Sequence, residues 1–108
     1  MTDQELKDSC QEAVTTGLAQ AIPTKQIALE TILAIVGLAI TIWSKCANKS
    51  KVARILDKAA KNSNGLAAAR TRRLLTNKMK ANNIDAEYQD PKVLNQLIIQ
   101  FNNKLKQS

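Results

Sequence analysis

A chain of 108 residues with a net charge of +7 holds one domain at most. Three glycines and two prolines are too few turn residues for an all-β fold, and three aromatics (Trp43, Tyr88 and Phe101) weaken the case for a large free-standing core. Histidine is absent, which removes the commonest partner of a catalytic nucleophile and leaves Cys10 and Cys46 as the only N or S ligands that suit zinc.

The chain reads as all-α, with about four to five helices arranged around one apolar, membrane-capable helix. Residues 1–25 form the first unit, an acidic amphipathic helix. Thr2 and Glu5 have capping-box spacing, and Leu6, Cys10, Ala13, Val14, Gly17, Leu18 and Ala21 recur with helical period. Pro23 ends that helix by pushing Ile22 toward extended backbone, and Thr24 can cap the next one.

Residues 26–44 form the second unit. Between Lys25 and Lys45 the only charge is Glu30, and the run is just long enough to reach across a hydrocarbon layer of about 30 Å. Trp43, Lys45 and Lys49 cluster at its end, as at a membrane boundary. Ala34, Gly37 and Thr41 make a small-residue stripe suited to close helix–helix packing. The same run also suits the buried central helix of a bundle, although the other segments offer only thin apolar stripes to cover it.

Residues 45–83 form the third unit, which is basic and helical. Lys51, Arg54, Lys58 and Lys61 recur at 3-4-3 spacing beside a face of Val52, Ile55, Leu56, Ala59 and Ala60. A single straight helix over residues 25–61 would be about 55 Å long, and a bend at the boundary is the alternative. Asn62-Ser63-Asn64-Gly65 breaks the pattern. A second basic helix is expected over Leu66–Ala81, with Arg70, Arg73 and Lys80 on one side, Leu75 and Met79 on another, and Asn82-Asn83 as its stop. Residues 84–108 form the last unit. Asp90-Pro91 reads as an N-cap followed by proline in the first turn, and Leu94, Ile98, Phe101 and Leu105 have the spacing of a seam against another helix.

Charge is strongly segregated along the chain. Residues 1–26 carry four acids against Lys7 and Lys25, whereas residues 45–83 carry eleven Lys/Arg against Asp57 alone. Such a block implies an anionic partner, either lipid headgroups or nucleic acid. Trp43, Lys45, Lys49, Lys51, Arg54, Lys58 and Lys61 are the candidates for lipid contact and for setting topology. Arg70, Arg72, Arg73, Lys78 and Lys80 are the candidates for nucleic-acid contact, which would be salt-sensitive and independent of sequence.

Catalytic chemistry has little to build on. Asp85, Glu87 and Asp90 sit in an expected loop without apolar shelter to raise a pKa, and no glycine-rich phosphate loop exists. Neither cysteine has metal or redox spacing, so both read as reduced and unpaired; Cys46 stands where S-palmitoylation can occur. The expectation is a protein with no enzymatic activity, metal or cofactor.

The first functional reading is a single-pass membrane protein with an assembly role, its N-terminus outside and its basic C-terminus inside. A lipid-containing virus particle, in which a vesicle must be tied to capsid and genome, is one natural setting. The seam Leu94, Ile98, Phe101 and Leu105 would then meet a second copy or an assembly partner. Two alternatives stay open. The layout of one short apolar segment and a charged tail resembles single-span phage holins in architecture, which implies a small oligomeric pore. The other is a soluble helical nucleic-acid binder with residues 27–43 as its buried core and Leu66–Asn83 as the helix that meets phosphate.

Overall fold

A computed structural model describes residues 3–44 and 49–106. Five α-helices account for most of these: α1 (Asp3–Ala21), α2 (Leu29–Ser44), α3 (Lys49–Lys61), α4 (Leu66–Ala81) and α5 (Pro91–Lys106). One short 3-10 turn, Ala86–Gln89, precedes α5. There is no strand among the described residues. Thr2, Lys45 and Cys46 lie outside them, and Lys49 is described only as the start of the α3 backbone.

The ends of the helices follow from local chemistry. Asp90 accepts the backbone N–H of Lys92 at 2.9 Å, and Pro91 fills the first helical position, where an N–H would have had no partner. At the C-terminus of α4, Asn83 adopts a positive φ of 57°. The amides of Asn83 and Ile84 then fold back to the carbonyls of Lys80 and Met79, closing the last turn in a Schellman arrangement. Between α3 and α4, Asn62 holds the turn by accepting the Asn64 amide on its side chain and the Gly65 amide on its carbonyl. A Cβ at Gly65 would come within 2.9 Å of the Asn62 side-chain amide, which would have to shift to make room.

Helix α5 is the hub, packing against α1, α3 and α4. Val93, Leu94, Leu97, Ile98 and Phe101 are all buried, and Leu105 is half-buried against the same core. The expected seam is therefore filled from within the chain. Cys10, Ala13, Val14 and Leu18 of α1 meet it from one side, and Val52, Leu56 and Ala59 of α3 join the same core. Gly17 lets α1 approach closely: a Cβ there would stand 3.1 Å from Leu97 Cδ2 and 3.3 Å from backbone atoms of Gln96 and Leu97.

Helix α2 departs from the membrane-capable expectation. No described helix is long and apolar enough to cross a membrane. With 16 residues, α2 is about 24 Å long against a hydrocarbon layer of about 30 Å. It packs on α1 and α4, burying Ile35, Val36, Leu38 and Ala39. Trp43 turns inward, its ring centroid 4.6 Å from that of Phe101, in a tilted aromatic pair rather than at an interfacial belt. The longest dimension of the described molecule is 34 Å, so α2 and α3 do not continue as one 55 Å rod.

Coverage of α2 is one-sided. Leu29 and Leu33 remain 59% and 41% exposed, and Ala34, Gly37 and Thr41 are exposed beside them. A Cβ at Gly37 would meet nothing within 4 Å. The small-residue stripe thus has no helix against it among the described residues.

Candidate functional site

The basic candidates divide by helix position. On α3, Lys51, Arg54 and Lys58 are exposed around the outward face, with Lys61 at its end. On α4, Arg70, Arg73 and Lys80 are exposed at the same relative spacing, with Asn77 filling the fourth place. Residues three and four apart share one side of a helix, so each helix presents a single row of cations. Each row spans ten residues, or about 15 Å.

The hairpin brings the two rows to one surface. Ile55 follows Arg54 on α3 and Leu74 follows Arg73 on α4, so each lies one step around its helix from the cation row. Ile55 and Leu74 line the same cleft, together with Ile42, Trp43, Val52, Thr71 and Leu75. Because α3 and α4 run as neighbours joined by a four-residue turn, matching offsets put both rows on the same outward side of that cleft. The cleft is small, about 70 Å³, and mostly apolar in its lining.

Few counter-charges reach this surface. No carboxylate occurs between Asp57 and Asp85, a stretch containing seven Lys/Arg. Lys61 is paired with Asp57 at 2.9 Å in an i,i+4 ion pair. The other described ion pairs, Lys25 with Glu87 and Lys104 with Glu12, lie elsewhere. Among the described residues, no ion pair engages Arg54, Lys58, Arg70, Arg73, Lys78 or Lys80.

Arg72 stands apart from the other candidates. Its Nη1 donates to the carbonyl of Ser63 at 2.7 Å and to Asn95 Oδ1 at 2.9 Å. One guanidinium thereby ties the α3–α4 turn to α5. The residue types around Arg70-Thr71-Arg72-Arg73 give no hint of this difference, because Asn95 lies 23 positions away. Lys78 is half-buried, at the border between the row and the core.

Other polar groups are occupied or exposed. A polar depression between α1 and α5 is lined by Asp8, Gln11, Glu12, Thr15, Thr16 and Lys104, and it is open to solvent. Lys25 donates to Glu87 and sits 5.1 Å from the centre of the Tyr88 ring; the hydrogen bond to Glu87 raises its pKa above the ordinary lysine value. This contact links the α1–α2 connection to the turn before α5, across 62 positions that no local pattern joins. Burial pushes the Cys10 thiol up to about 11, which keeps it protonated and unreactive at neutral pH. Among the described residues, no group of three His, Cys, Asp or Glu could hold a metal ion. No family model, curated protein or solved structure matches this chain.

Proposed function

We propose that this chain is a non-enzymatic helical binding protein that holds nucleic acid through its phosphate backbone, with α3 and α4 as the contact surface. The observation that carries this reading is the exposed row of cations on each helix of the hairpin, in which Arg54, Lys58, Arg70, Arg73 and Lys80 engage in no ion pair among the described residues. Cation side chains in such an array displace condensed counterions from a polyphosphate, so affinity comes from salt release rather than from base recognition. Labelled oligonucleotides of mixed sequence, followed by fluorescence anisotropy, test the reading. About six phosphate contacts predict an affinity loss of about 10³ between 50 and 200 mM salt, with little dependence on sequence. Absence of binding at 50 mM salt would remove the reading.

A second reading rests on the outer face of α2. An ordinary surface helix of a water-soluble bundle carries polar residues outward, whereas α2 turns Leu29, Leu33, Ala34 and Gly37 outward with Glu30 as its one charge. Thr41 adds to that apolar character, since its hydroxyl donates to the Gly37 carbonyl at 3.0 Å and leaves the methyl outermost. On this reading α2 lies against lipid while the basic hairpin holds a genome, an assembly role at a membrane. Separation of membranes followed by an alkaline carbonate wash tests it: full release of the protein would leave the α2 face without a lipid partner.

A further inference from the structure

Two rows of cations, rather than one, bear on which kind of nucleic acid fits. This inference rests on the phosphate-binding reading above and narrows its substrate. We infer that the hairpin straddles a groove of a double-stranded helix, with the α3 row on one strand's phosphates and the α4 row on the other's.

The dimensions favour two strands over one. Packed helices lie about 8–10 Å apart axis to axis, and the long Arg and Lys side chains splay outward from there. A duplex presents two phosphate backbones across a minor groove about 6 Å wide, and each strand offers a charge every 3.4 Å or so of axis. A row of about 15 Å laid along one strand therefore faces about two of its phosphates, since the backbone winds around the axis and its phosphates lie further apart than their axial rise. A single strand has one backbone and engages one row at a time.

Recognition of unpaired bases has no means here. Single-strand binders stack bases on exposed aromatic rings. No aromatic stands exposed in the rows: Phe101 and Tyr88 are buried, and Trp43, which borders the cleft, is half-buried against Phe101. Ile55 and Leu74, the residues of the cleft next to the rows, are aliphatic, and the cleft itself is small, about 70 Å³. Asp57 on α3 is paired with Lys61, and Asn77 is the one amide in the exposed rows, so Arg54, Lys58, Arg70 and Arg73 present mainly charge.

The test compares a mixed-sequence duplex of about 20 base pairs with each of its separated strands, using the full-length chain at fixed salt. The duplex is expected to bind at least about tenfold more tightly, with a steeper salt dependence. Two double variants then separate the rows: Arg54→Gln with Lys58→Gln on α3, and Arg70→Gln with Arg73→Gln on α4. All four side chains are exposed, and helix content by circular dichroism verifies that each variant is folded. Each double variant should flatten the log–log salt slope for the duplex by about 2, since each phosphate contact contributes about 0.9. Equal or tighter binding of the single strands, or loss confined to one pair of substitutions, overturns the two-strand arrangement while leaving phosphate binding in place. Failure of every oligonucleotide to bind overturns phosphate binding itself.

Discussion

Helices α2 and α5 are the same length, yet the more apolar of the two lies at the edge of the molecule and the more polar one at its centre. Helix α2 carries one charge in 16 residues and leaves Leu29 and Leu33 largely in solvent. Helix α5 mixes asparagine, glutamine and lysine with its apolar residues, and it buries Val93, Leu94, Leu97, Ile98 and Phe101. A central position requires apolar residues where neighbours arrive, and the seam of α5 supplies them at the spacing that helices pack by. The other helices have stripes only wide enough to cover half of α2. Total apolarity and position in the core are thus separate properties.

Removing a large side chain from each helix is the strongest way to break that comparison. Phe101→Ala should cost about 3–5 kcal/mol, because the ring is fully buried and supports Trp43. Leu33→Ala should cost only about 1 kcal/mol, because that side chain is 41% exposed. Urea denaturation of both variants measures the contrast, and equal losses would mean that α2 has a covered outer face in solution.

Glycine substitutions sharpen the same comparison. Gly17→Ala forces a methyl against the backbone of Gln96 and Leu97, atoms that cannot turn aside. Overpacking of this kind costs about 1–3 kcal/mol, less up to about 1 kcal/mol gained from alanine's helix preference. A net loss of about 1–2 kcal/mol in the same urea series is expected. If Gly17→Ala proved stabilising, the close approach of α1 to α5 would be in error. Gly37→Ala has the opposite sign: its methyl meets nothing, so the helix should gain about 0.5–1 kcal/mol. A loss that deepens as protein concentration falls would instead point to a partner copy seated on Gly37.

Much of the secondary structure was legible because its signals are local. Asp90-Pro91, the Asn62–Gly65 break and the Asn82-Asn83 stop each act within a few residues, and each has a bonded counterpart in the fold. The two cation rows were legible for the same reason, as a spacing along one helix. What could not be read was which elements meet. An apolar run of this length suits both a bilayer and a bundle, and the choice depends on whether α1 and α4 come to lie against Ile35, Val36, Leu38 and Ala39. The role of Arg72 was hidden likewise, since Ser63 and Asn95 become its partners only once α3, α4 and α5 are assembled.

That guanidinium has a bearing on how tightly the hairpin could hold a ligand. A cation array on a loosely attached hairpin would have to surrender its hinge motion on binding, and the lost entropy would subtract from affinity. By fastening the α3–α4 turn to α5, Arg72 removes that freedom during folding, so on the phosphate-binding proposal the neighbouring arginines would meet a polyanion already in register.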